Sequence, residues 1–306
     1  MSEQWFFVIN PVSGKGKSLK LWEQVKIALD NSDVNYSFAI SEYHLHTVKL
    51  VTDKYNHGTR HFIGLGGDGT TNEIVNGIFQ SQKPNNPSLC TISLLPVGTG
   101  NDWVRIQEQL TPKNLVSRLN KNKTKPFDIG LVESENPQIK HYFINVAGAG
   151  LDGKVGKELE ILNTANKKGK LSYIKSLLVA LMNFEAPKST IKIKNKSVFE
   201  GRFLVLATSK GQYFGNGMHI SPNALPDNGK LDITVVKKDS NWVILPQLYK
   251  LFNGKISTAP FVEKHNHNKV EIITDIPVPI QADGEYLGES KQIKFSVLKH
   301  AILVLA

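Results

Sequence analysis

Within the first 102 residues, three short apolar runs each end in a polar, glycine-rich turn, and this repeated junction restricts the fold more than any other feature. Trp5–Ile9 leads into Asn10–Gly16, His61–Leu65 into Gly66–Thr70, and Thr91–Leu95 into Pro96–Asp102. A fourth run, Tyr36–Ile40, ends at Ser41 and Glu42. Helix-like stretches over about Ser18–Leu29, His44–Tyr55 and Thr71–Phe79 separate the runs. Apolar strands alternating with helices predict a parallel sheet with helices on both faces. Such sheets bind ligands beyond the carboxyl ends of their strands, the edge that carries all of these turns. One site should therefore gather them.

After Asp128 the pattern changes to short β-like runs separated by turns rich in Gly, Asn, Pro and Asp. The runs are Asp128–Val132, His141–Ala147, Thr190–Ile193, Phe203–Thr208, Leu231–Val236, Val270–Ile273 and Ile293–Val297. They predict a mainly β C-terminal sandwich. One helix is expected over Leu171–Phe184, where Leu171, Ile174, Leu178 and Leu181 recur at helical spacing. The boundary falls at Lys125–Phe127, giving an α/β nucleotide-binding domain over 1–127 and a β-sandwich substrate domain over 128–306. With 40% hydrophobic residues the chain can supply two cores.

Chemistry concentrates in the turns. In Gly64-Leu65-Gly66-Gly67-Asp68-Gly69-Thr70 the glycines let backbone approach a phosphate, and the helix that follows offers unpaired N–H groups. An Asp in that turn would repel phosphate unless a cation lies between them, so a magnesium ion bridged by Asp68 is expected. The same glycines fit the dinucleotide fingerprint GxGxxG, but no acidic residue lies between Glu73 and Asp102 to hold a ribose. Asn10-Pro11-Val12-Ser13-Gly14-Lys15-Gly16 is a second phosphate-loop candidate, with Pro11 where a Walker A loop has its first glycine. Pro96-Val97-Gly98-Thr99-Gly100-Asn101-Asp102 adds Thr99, Asn101 and Asp102; a helix N-cap there is compatible with ligand binding. Far downstream, Asp283-Gly284-Glu285 reads equally as a hairpin turn and as the carrier of a general base, Glu285.

The ordered motifs NPVSGKG, GGDGTTNEIVNG, PVGTGND and the late DGE resemble the diacylglycerol kinase catalytic family, whose catalytic unit sphingosine kinases share. The likeness runs from Asn10 to Glu285. It implies a phosphofructokinase-like α/β domain, a C-terminal β-sandwich and a cleft between them, with ATP and Mg2+ as cofactors. By that resemblance Asn10, Pro11, Ser13 and Gly14 line the nucleotide phosphates, and Ser41 stands near the nucleotide. Gly66, Gly67, Asp68, Gly69, Thr70 and Asn72 hold phosphates and magnesium, and Thr99 contacts ATP. Glu285 is the catalytic base, with Asp68, Asp102 and Asp128 in the catalytic network. The stretch from Gly215 to Leu231 resembles a loop that binds a structural magnesium through Leu225, Asn228 and Lys230. Asn228 replaces the second Asp of that pattern, which removes a formal charge from the ion's surroundings.

The formal charge of +10 favours a polyanionic partner, and neither a zinc-finger spacing nor an RNA-binding aromatic signature points to nucleic acid. The expected partners are a lipid alcohol and an anionic membrane surface, with a second copy of the chain as a further candidate. The basic stretch Lys167–Lys175 reads as ordinary core helix or as a membrane-docking edge. A lone cysteine, Cys90, and a start without a signal peptide lead to the expectation of a cytoplasmic, peripherally membrane-associated enzyme. An NAD kinase and a non-catalytic nucleotide- or lipid-binding regulator are the rival readings.

Overall fold

The computed structural model describes residues 4–81, 89–97, 100–155, 180–215 and 217–306. Thr99, Asn216 and the basic stretch Lys167–Lys175 lie outside them. The chain divides into two units, Met1–Asp128 with His300–Ala306, and Ile129–Lys299. The sequence reading had kept residues 128–306 together; the last seven instead return to the first unit.

The first unit is built on four parallel strands, β1 (Trp5–Ile9), β2 (Tyr36–Ile40), β3 (His61–Gly66) and β4 (Thr91–Pro96), in the order β2-β1-β3-β4. The end of the long last strand, β13 (Glu285–Leu305), lies parallel to β4, with Leu303 opposite Thr91 and Val304 opposite Ile92. Strands covered on both faces read as unbroken apolar runs, and Phe6, Phe7, Val8 and Ile9 are all fully buried. Burial of each such side chain stabilises the fold by about 1.5–3 kcal/mol. On one face, Phe7, Ile9, Ile63 and Leu65 pack with Trp22, Val25 and Leu29 of α1 (Lys17–Asp30) and with Leu115 and Leu119 of α4 (Leu115–Lys121). On the other run α2 (His46–Asn56) and α3 (Asp68–Ser81). Gly64 and Gly77 allow this close approach: a Cβ on Gly64 would meet Ile74 at 3.0 Å, and one on Gly77 would meet the Val48 carbonyl at 2.7 Å.

The second unit is antiparallel. Its strands are β6 (Ile139–Phe143), β7 (Val146–Gly150), β8 (Lys188–Ile193), β9 (Lys196–Ser209), β10 (Leu231–Lys237), β11 (Val262–His267) and β12 (Lys269–Ala282), together with most of β5 (Thr124–Ser134) and β13. They follow the order β11-β10-β9-β7-β12-β13, with β8 joining β9 and β12. Every β-like run named from sequence falls within a strand, although His141–Ala147 divides between β6 and β7. Strand β11 went unread because its sequence, VEKHNH, is polar and, among the described residues, it pairs with β10 alone. The core gathers Phe143, Ile191, Phe203, Leu206, Ile233, Ile272 and Phe295. Of the helix expected over 171–184, the described part is helical at 180–183.

Candidate active site

Backbone hydrogen bonds draw the turns of the first unit together. Asn10 N–H donates to the Leu65 carbonyl at 3.0 Å, and Val97 N–H donates to the Gly66 carbonyl at 2.8 Å. Ser41, buried at the end of β2, donates its N–H to the Ile9 carbonyl at 2.9 Å. Asn10 extends its amide to Thr70 Oγ1 at 3.4 Å and accepts the Val12 N–H at its Oδ1, which shapes the turn through Pro11 and Ser13. Gly14, Lys15 and Gly16 then run consecutively through left-handed backbone, with φ of 59°, 59° and 84°. A Cβ on Gly14 would lie 2.4 Å from the Val97 carbonyl oxygen, so this glycine is what allows the first turn to rest on the one after β4.

Asp68 fixes the third contact. Its Oδ2 accepts the Asp102 N–H at 2.9 Å and its Oδ1 accepts the Trp103 N–H at 3.0 Å. Asp102 is buried and receives Arg105 Nε at 2.9 Å. Asp68 also begins α3, whose first turn closes through Thr70 and Thr71 N–H onto the Gly67 carbonyl. Gly66 is confined, since a Cβ there would fall 2.1 Å from Thr70 Oγ1. Gly69 is the opposite case: outside its own helix backbone and chain neighbours, no atom of the described residues lies within 4 Å of where its Cβ would be. Open space therefore faces the start of a 14-residue helix, where unpaired N–H groups favour an anion. Each oxygen of Asp68 accepts one N–H and keeps a second lone pair, so the carboxylate can also meet a hydrated magnesium carried by a polyphosphate. Among the described residues no three acidic, His or Cys side chains gather to hold a metal on their own. Asn72 is buried, and its side-chain oxygen accepts from Asn76 at 3.1 Å. Asp128 is fully buried, accepting the His300 N–H at 2.8 Å where β13 enters the unit.

In the second unit, Asp283 and Gly284 take φ of 49° and 89°. Two left-handed residues in succession are what a tight hairpin between β12 and β13 needs. The Asp283 carboxylate accepts three backbone N–H groups, from Ile144 at 2.8 Å, Asn145 at 2.9 Å and Val146 at 2.9 Å. Gly284 N–H donates to Gln281 Oε1 at 2.9 Å. The turn is thus rigidly held, and Glu285 stands beside it with its side chain 31% exposed. The hairpin and the general-base readings are therefore compatible: Asp283 shapes the turn and Glu285 carries a carboxylate at its edge. His141 Nε2 lies 3.9 Å from Glu285. Burial drives His141 down to about 4, so it is neutral near pH 7 and the contact is not an ion pair there.

Sequence reasoning missed Asp152. It lines a pocket, partly open to solvent, whose fourteen other lining residues are all apolar. Gln281 Nε2 donates to its carboxylate at 2.6 Å, yet burial pushes Asp152 up to about 6. Its only sequence signal was an acidic residue in the small-residue stretch Gly148–Gly153. Leu225, Asn228 and Lys230 are the residues expected as magnesium ligands. The Lys210 ammonium lies 3.0 Å from Asn228 Oδ1 and 2.7 Å from the Lys230 carbonyl oxygen, and Leu225 is 52% exposed.

Residues 4–132 match the diacylglycerol kinase catalytic domain, and residues 145–306 match the YegS C-terminal NAD kinase beta sandwich-like domain. A diacylglycerol kinase of Staphylococcus saprophyticus is 26% identical, over 92% of this chain and 88% of its own. A protein named probable lipid kinase YegS-like, from Shewanella frigidimarina, is 29% identical over 78% of this chain and 73% of its own. The crystal structure of a diacylglycerol kinase from Bacillus anthracis superimposes with a TM-score of 0.68 at 18% identity, covering 99% of this chain and 96% of that one, which is a likeness of fold. Two consecutive family matches that together span nearly the whole sequence place this chain in the diacylglycerol kinase catalytic-domain family, with a C-terminal domain of the YegS type.

Proposed function

We propose that the chain is an ATP-dependent lipid kinase, transferring the γ-phosphoryl group of ATP to the hydroxyl of a diacylglycerol-like lipid at a membrane surface. The observation that carries the acceptor class is the pocket of the second unit. Fourteen apolar residues around one carboxyl suit acyl chains and a hydroxyl, and offer a dinucleotide almost nothing to bond. The nucleotide belongs to the first unit, where Gly69 and the start of α3 would receive its phosphates and Asn10, Ser13 and Gly14 would border them. Magnesium, when bound with ATP, would neutralise charge developing on the transferred group. In the reaction the lipid oxygen bonds to the γ-phosphorus as the bond to the β-bridging oxygen breaks. Glu285 takes the hydroxyl proton, and ADP leaves.

Action at a surface is supported by the segment 241–252. It turns Ile244, Leu248 and Leu251 into the pocket while exposing Trp242 at 89% and Tyr249 at 60%. Leu245 and Phe252 are exposed as well, and Lys238, Lys250 and Lys255 flank them against one acidic residue, Asp239. Exposed aromatic and apolar side chains with flanking lysines suit the boundary of an anionic bilayer. Among the described residues no helix is long and apolar enough to cross a membrane.

The test is incubation of the purified protein with labelled ATP, magnesium and a total lipid extract, followed by phase separation. Label should enter the organic phase, and Glu285→Gln should lower it by roughly 100-fold or more. Label in added NAD instead of lipid, or ATP binding without any transfer, would overturn the reading.

A further inference from the structure

The loop between β9 and β10 already holds a positive charge, and the charge belongs to the chain. Lys210 directly follows β9 and is fully buried. Its backbone N–H donates to the Asn145 carbonyl at 2.8 Å, which fixes where the side chain begins. Its ammonium then reaches the far end of the loop, donating to Asn228 Oδ1 at 3.0 Å and to the Lys230 carbonyl at 2.7 Å. Asn228 Oδ1 accepts the Lys230 N–H as well, at 3.0 Å, so one amide oxygen ties both the loop's own turn and the lysine.

These are two of the three residues that the family resemblance assigns to a structural magnesium, and they do not fit that ion. Magnesium demands near-octahedral oxygen ligands at about 2.0–2.1 Å. A divalent ion within reach of Asn228 and Lys230 would sit against a buried ammonium of like charge. The neutral amide at 228 supplies no negative charge to offset the ion, yet it is a good acceptor for an ammonium. A lysine here also needs no capture from solution, because its tether to β9 sets its effective concentration.

We propose that the Lys210 ammonium is the resident cation of this loop, standing in for a divalent metal and bracing residues 221–230 against the end of β9. Stability of the second unit is then independent of divalent cations at this loop. The claim concerns the loop alone and holds whether or not the chain phosphorylates a lipid.

Thermal unfolding of the nucleotide-free protein tests it, with magnesium or calcium titrated at constant ionic strength. Wild type and Asn228→Ala should respond identically to the divalent ion. Lys210→Met should lower the melting temperature by roughly 5 °C, with no recovery on adding metal. Lys210→Ala combined with Asn228→Asp should acquire a saturable, metal-dependent rise that Lys210→Ala alone lacks. A saturable stabilisation of wild type that Asn228→Ala removes would overturn the proposal, as would a Lys210→Met variant as stable as wild type. If Lys210→Met fails to fold, the comparison of wild type with Asn228→Ala decides.

Discussion

Asp68 and Asp152 are both carboxylates in polar-looking stretches of sequence, and their surroundings give them opposite tasks. Asp68 accepts two backbone N–H groups and so holds a turn. Asp152 is buried beside an apolar pocket, and that burial raises it from 3.8 to about 6 against the one amide donor, Gln281, which favours its charge. A carboxyl whose folded pKa is raised keeps its proton longer in the folded state. Its penalty is absent below the unfolded value and grows as pH climbs through the window from about 4 to about 6. Asp152→Asn should therefore gain stability over wild type above that window, by up to about 3 kcal/mol, and gain little below it. Urea unfolding of both proteins at pH 4 and pH 8 measures this, and an equal difference at the two values would refute it. Neither the Asp152 pocket nor the Lys210 clamp was legible in the sequence. A lysine normally marks the surface, and each site is assembled from segments whose spacing carries no local signal.

At the scale of elements, what could be read followed burial. Strands β1, β3 and β4 are enclosed on both faces and so appear as plain apolar runs, and the polar turns follow where those runs stop. Edge strand β11 needs no such run and left no trace. The Asp-Gly dipeptide correctly marked the hairpin between β12 and β13, but its partners at 144–146 lie far away in sequence. The clasp they form predicts a cost specific to the carboxylate. Asp283→Ala should destabilise by at least about 3 kcal/mol, because three N–H groups lose a charged acceptor and alanine must enter left-handed backbone. Asp283→Gly should remove the backbone strain but not the lost bonds. Chemical denaturation of the two variants separates these contributions, and wild-type stability in both would show that the clasp is dispensable.

Across the whole molecule, the chain passes between its units twice, leaving the first after Asp128 and re-entering it at His300. The returning residues Ile302, Val304 and Leu305 are buried, and the His300 N–H reaches the Asp128 carboxylate. Deleting residues 300–306 should cost the first unit several kcal/mol, from three apolar side chains at about 1.5–3 kcal/mol each. A clearly lowered first transition in calorimetry would show this, and unchanged unfolding would refute it. The sequence shows an apolar stretch at 301–306, but nothing local identifies strand β4, some two hundred residues earlier, as its neighbour. The order of synthesis gives this return a further consequence. On the ribosome, β4 emerges without the strand that will cover its edge, and residues 129–299 must all be made first. Counted from the end of β4, at about 5–20 residues per second the interval is roughly 10–40 s, during which an apolar strand edge of the nascent first unit awaits residues 300–306.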